Sequence, residues 1–198
     1  MAGQSKIFVE GPDDMHVAQH LANAFYLGKI DVKPCEGIPN LLEDIRRATL
    51  ASELTNLVVI CDADDDVPSR WQQIRDRLND VANLPVQPHP SGTVAQGPKM
   101  KVSVWLMPDN ASPGALEQFL EALIPSGDTT YPKAKRFIDS LTATERRFLA
   151  GDAPKASLYV WLATQEDPGC PYGTAIKAGY FDASSAHTFT EWLRAALA

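Results

Sequence analysis

Four carboxylates in two short stretches have the types and spacing to do chemistry. Glu10 and Asp14 lie in Val9-Glu10-Gly11-Pro12-Asp13-Asp14, and Asp62 and Asp64 lie in Cys61-Asp62-Ala63-Asp64. Carboxylates gathered in one place repel, and their pKa values rise until something neutralises them. A hard divalent cation, Mg²⁺ or Mn²⁺, is the simplest neutraliser, because Mg²⁺ takes oxygen ligands, usually one or two carboxylates with waters and a substrate phosphate. Paired ions about 3.5–4 Å apart serve phosphodiester chemistry. Glu10 carries the most weight, since it ends an apolar run before Gly11 and has no capping role. Asp13, Asp65 and Asp66 read first as caps and turn residues, which Asp supplies at helix starts.

These acids need elements to position them. Residues 6–10 are a short apolar run broken by Gly11-Pro12, and Val17, Leu21, Ala24 and Phe25 recur at helical spacing, which predicts a helix over 13–27. A second strand is expected over 30–35 and a second helix from Pro39, with Leu42, Ile45 and Leu50 on its apolar face. Leu57-Val58-Val59-Ile60-Cys61 is continuously apolar, as in a strand buried on both faces of a parallel sheet. Ser69 with Gln72 resembles a capping box opening a third helix through Trp71, Ile74 and Leu78. The alternation predicts a three-layer α/β domain with parallel strands. Glu10 and Asp62 then end strands at one sheet edge, where such folds bind ligands.

Residues 84–100 hold four prolines and two glycines and read as a loop or edge hairpin; 101–107 is a better strand, with Val102, Val104 and Leu106 on one face. Ser112-Pro113 opens a helix through Leu116, Phe119, Leu120 and Leu123. Beyond Pro132 the pattern is helical, Thr142 with Glu145 and Thr188 with Glu191 have capping-box spacing, and 168–173 reads as a loop. We expect a core over 1–126 and a helical extension over 127–198 packed on the same domain.

The net charge is −7, and residues 1–66 carry all of it, with 5 basic against 12 acidic groups; 67–198 is neutral. An acidic chain is a poor non-specific nucleic-acid binder, unless its acids recruit a cation that meets the phosphate. Cys35, Cys61 and Cys170 form no CxxC pair, and with no signal peptide or long apolar run the expected setting is a reducing cytoplasm without membrane attachment.

The two acidic stretches together resemble the Toprim domain, over roughly residues 5–110. Its motif is a Glu after the first strand, often in Glu-Gly-x-x-Asp, and an Asp-x-Asp after the third. Trp105-Leu106-Met107-Pro108-Asp109-Asn110, then Gly114-Ala115-Leu116-Glu117, and the stretch from Leu162-Ala163 to Pro168-Gly169 are similar to a small stand-alone prokaryotic Toprim-like family of unknown function, of the nuclease-like branch. The resemblance implies a Toprim-like (Rossmannoid), mostly parallel sheet. It makes Glu10 a general acid/base, Asp62 and Asp64 Mg²⁺ ligands and Asp14 an additional acid. Asp13, Asp66, Asp109, Glu117 and Lys155 are further candidates. Topoisomerases and primases of this superfamily continue Asp-x-Asp with Gly and then Glu or Arg, whereas Asp65-Asp66-Val67-Pro68 stands here, and no zinc module, winged helix or strand-cleaving Tyr accompanies it. The leading expectation is Mg²⁺-dependent phosphodiester hydrolysis on nucleic acid. The alternative is a non-catalytic module binding nucleotide, nucleic acid or a protein partner; no oligomeric state follows.

His16 and His20 share i, i+4 spacing but lack the Glu of a metalloprotease helix. A response-regulator receiver would place an acid pair after strand 1 and a lone Asp after strand 3, the reverse of this order. The stretch 128–155 holds 6 basic and 4 acidic groups, which suits a solvated helix face and, as the sharper alternative, a nucleic-acid backbone. Trp161, Trp192 and Phe189 at helical spacing read as core.

Overall fold

The computed structural model describes residues 4–198. Five strands form one sheet: β1 (Gln4–Val9), β2 (Val32–Pro34), β3 (Leu54–Asp62), β4 (Thr93–Gln96) and β5 (Lys101–Met107), in the order β2-β1-β3-β5-β4. Every pair is parallel except β4 with β5, so the Pro- and Gly-rich segment ends in a short antiparallel edge strand. Eight α-helices among the described residues surround the sheet: α1 (Pro12–Ala24), α2 (Ile38–Ala48), α3 (Val67–Leu78), α4 (Leu116–Glu121), α5 (Tyr131–Ser140), α6 (Ala153–Leu162), α7 (Tyr172–Ala178) and α8 (His187–Leu197). None is long and apolar enough to cross a membrane.

The two-residue period of the strands sorts their side chains into two cores. Ile7, Val9, Val58, Ile60, Trp105 and Met107 face a core built with α1 and with α4 to α8. Phe8, Leu57, Val59, Cys61, Val102, Val104 and Leu106 face the other, closed by α2 and α3. The continuous apolar run of β3 therefore has both faces covered, as its composition required. Trp105 sits edge-on against Phe189, 5.2 Å between centroids, and 5.4 Å from Trp192. Those aromatics, with Trp161, are buried core residues.

Several local expectations need correction. The first helix ends at Ala24, not 27: Tyr26 has φ 56° and Leu27 N–H donates back to Ala22 O at 2.9 Å, closing the helix early. The α3 cap is Asp66, whose carboxylate accepts from Ser69 N–H, so Ser69 lies inside the helix. Asp66 thus does what its sequence position suggested. Thr142 N–H and O–H both donate to Glu145, at 2.9 and 2.7 Å, but this pair closes an isolated turn with no helix after it. Helix α8 starts at His187, which puts Thr188 inside it. Tyr172 and Gly173, read as loop, are the first turn of α7.

The chain enters β1 and turns to β2 through α1 on one face, then to β3 through α2 on the other. The carboxyl ends of β1 and β3 therefore flank the point where the winding changes side, which opens a crevice there. Val9 is paired with Ile60, so Glu10 and Asp62 emerge together from adjacent strands.

Candidate functional site

Glu10 leaves β1 at the sheet edge, half-buried, with Oε2 enclosed and without a hydrogen-bond partner. Burial raises its pKa, and the Asp64 charge adds to this; the Arg70 guanidinium and the amides of Asp62 and Ile38 oppose it. Asp14, in the first turn of α1, is 7% exposed. One of its oxygens, Oδ2, accepts from Gly11 N–H at 3.0 Å, while Oδ1 is buried with no partner. Burial, with the charges of Glu10 and Glu117, pushes Asp14 up to about 7 against the Gly11 hydrogen bond.

Asp62 closes β3. Its Oδ1 accepts from Leu116 N–H at 2.9 Å, at the start of α4. Burial lifts its pKa to about 8, helped by Asp14, Glu10 and Glu117, and the Leu116 amide recovers only part of that. The physical reason is common to all three: carboxylates buried at the sheet edge lose hydration and feel one another across a poorly screened gap.

Asp64 has a different place. Its backbone adopts φ 53°, which Asp tolerates better than most side chains. It exchanges backbone hydrogen bonds with Gly114, at 2.9 and 2.7 Å. Gly114 has φ +141°, and a Cβ there would lie 3.1–3.2 Å from the Gln118 side chain, so glycine suits this bridge. The bridge folds the segment after β5 back over the end of β3 and delivers α4 to the site. The Asp64 carboxylate is ion-paired with Arg70, whose side chain is 8% exposed. Arg70 also donates to Gln73 Oε1 at 3.0 Å, and its Nε is buried without a partner.

Glu117, in the first turn of α4, joins the acid group and is paired with Lys155 of α6 at 3.2 Å. Burial works against the Lys155 charge, but Glu117 and Asp13 outweigh it and raise its pKa. Asp62, Asp64, Asp65, Glu117, Asp152 and Lys155 line an open cleft of about 660 Å³. The arrangement can bind a cation, or hold protons on acids that titrate near neutrality.

Glu10 and Asp14 couple electrostatically to Asp62 but are not among the residues lining this cleft, and other candidate acids lie elsewhere. Asp109 accepts from Ala111 N–H, Ser112 N–H and Ser112 O–H, which lowers its pKa despite burial and ties it to its own turn. His16 and His20 face α7: a Cβ on Gly173 would come 2.8 Å from His16 Cβ and 2.7 Å from His20 Cδ2. His20 is half-buried there, while His16 stays exposed. Among the described residues no three His, Cys, Asp or Glu groups form a ready-made metal cage.

Arg70 escaped the sequence reading. The available signal was its position: Val67, Arg70, Trp71, Ile74 and Leu78 follow the helical apolar spacing, and all five are buried. An Arg buried on such a stripe needs an ionic partner.

These features define an α/β protein with an acidic cleft at the carboxyl edge of a mostly parallel sheet. Residues 4–198 match the family described as "Protein of unknown function (DUF3226)", and the chain belongs to that family. No curated protein and no solved structure matches it significantly.

Proposed function

We propose that the chain is a Toprim-like, divalent-cation-dependent enzyme that hydrolyses phosphodiester bonds in nucleic acid. The observation that carries this reading is the pair of buried, unpartnered carboxylate oxygens, Glu10 Oε2 and Asp14 Oδ1, beside Asp62 at the end of β3. Buried acceptors without partners are rare and costly, and a cation would satisfy both. The open cleft fits Mg²⁺ better than an all-protein cage, because Mg²⁺ keeps several waters and takes few carboxylates. Asp62 and Asp14, with Asp64, would hold the ion. Bound there, the ion would neutralise charge on a phosphate and activate water. Glu10, whose pKa is raised by burial and the Asp64 charge, is a stronger proton acceptor than an ordinary carboxylate. Lys155, held by Glu117, adds a positive charge at the cleft wall.

One observation favours the alternative, a non-catalytic binding module: Arg70 already neutralises Asp64, leaving less negative charge for an ion. Calorimetric titration with Mg²⁺ and Mn²⁺, paired with cleavage assays on single- and double-stranded DNA and RNA, separates the two. Binding and metal-dependent cleavage, both lost in Glu10→Gln/Asp62→Asn, support the enzyme. Binding without cleavage supports the module, and no binding at all refutes a cation site.

A further inference from the structure

Helix α5 and the segment that joins it to α6 carry cations that the acid cleft does not use. Lys133, Arg136, Arg146 and Arg147 are exposed, and none has a carboxylate partner among the described residues. Lys133, Arg136 and Phe137 fall within about 100° of arc on α5 at 3.6 residues per turn, away from buried Ala134 and Ile138. Phe137 is 53% exposed among these charges. Phe137 thus presents an apolar ring face within a cationic surface.

The position of this surface relative to the cleft is fixed by two ion pairs. Glu117 and Glu121 lie one turn apart on α4; the first holds Lys155 of α6 and the second holds Lys135 of α5, at 2.5 Å. Helix α5 therefore sits one helical turn beyond the cleft wall. The chain leaving Arg146 and Arg147 runs into Gly151 and Asp152, which line the cleft. Lys135, which faces α4, lies about 160° around α5 from Lys133 and Phe137, so the basic face opens to solvent on the side away from α4.

We infer that the α5 surface of Lys133, Arg136 and Phe137, with Arg146 and Arg147, binds the backbone and bases of a single-stranded nucleic acid. This rests on the proposed phosphodiester chemistry for the class of ligand but not for its binding energy. An acidic cleft repels a phosphate backbone, so a strand that is to reach it needs an anchor outside it. Four unpaired cations supply that anchor by counterion release. Phe137 offers a face for an unstacked base, which a duplex does not present. The excess negative charge of the chain lies in residues 1–66, and the stretch 128–155 holds 6 basic against 4 acidic groups.

The test is fluorescence anisotropy of a labelled oligothymidylate of about 20 nucleotides, in EDTA so that no cleavage intervenes, over a range of salt concentrations. With four phosphate contacts the plot of log affinity against log salt should have a slope of about −3 for wild type. Lys133→Gln/Arg136→Gln/Arg146→Gln/Arg147→Gln changes only exposed side chains; it should bind about tenfold or more weakly at low salt, with the slope near zero. Phe137→Ala should lose about fivefold with the slope unchanged. Circular dichroism checks that the variants fold.

Wild-type affinity retained in the quadruple variant overturns the inference, as does absence of wild-type binding. Equal binding of a duplex, or equal competition by polyglutamate, also overturns it. Strand binding without Mg²⁺- or Mn²⁺-dependent cleavage leaves this surface standing and removes only the hydrolytic reading.

Discussion

Neutralising Asp62 should change how stability depends on pH, and the direction follows from the site. An Asp with an ordinary pKa of 3.8 when unfolded titrates at about 8 when folded, because burial and three neighbouring acids disfavour its charge. Between those values the folded state binds more protons than the unfolded state, so stability falls as pH rises. At about 1.36 kcal/mol for each pH unit, the ceiling is on the order of 6 kcal/mol. Asp14, which titrates at about 7, shares the same field, so the acids lose their protons as a group. Water in the open cleft screens part of the penalty, and a loss of about 3 kcal/mol between pH 5 and pH 9 is the working figure. For a chain of 198 residues this lowers Tm by roughly 6–12 °C. Asp62→Asn keeps the shape, removes the charge and should flatten the profile, making the variant the more stable protein at pH 9. Mg²⁺ at about 100 times its Kd should restore about 2.7 kcal/mol to wild type at pH 8 and far less to the variant. Thermal unfolding across pH 5–9, with and without Mg²⁺, measures all of this. A wild-type profile that stays flat, or equal Mg²⁺ stabilisation of both proteins, would refute the reasoning.

Three substitutions test the surrounding structure. Gly173→Ala should cost about 1–3 kcal/mol in chemical denaturation, because its methyl would meet His16 and His20 below 3 Å. Asp66→Ala removes the α3 cap and should cost about 1 kcal/mol, leaving cation binding intact. Trp161→Ala should cost about 3–5 kcal/mol, since it empties a fully buried site and removes the indole N–H that donates to Asp128 at 3.0 Å.

The α/β alternation was legible because period-2 and period-3.6 patterns are local consequences of which face is buried. The acids of Glu10 and Asp62 were legible for a related reason: each directly ends an apolar strand, and parallel strands end together. Local signatures failed where local energies are small. The Thr142–Glu145 hydrogen bonds formed, but no apolar face followed to be buried, so they closed a turn. Ser69 lost the cap to Asp66, three residues earlier, because Val67 starts the buried stripe of α3.

The sequence by itself determined the layer architecture, the sheet edge that carries the acids and the place of the negative charge, all set by short-range pattern and composition. Tertiary structure alone decided the membership of the site. Glu117 arrives through the Asp64–Gly114 bridge, across 50 residues of chain. Arg70 pairs with Asp64, Lys155 comes from α6, and Gly173 packs its backbone against His16 and His20. The raised pKa values of Asp14 and Asp62 likewise come from burial and mutual charge, quantities that exist only once distant segments have excluded the water between them.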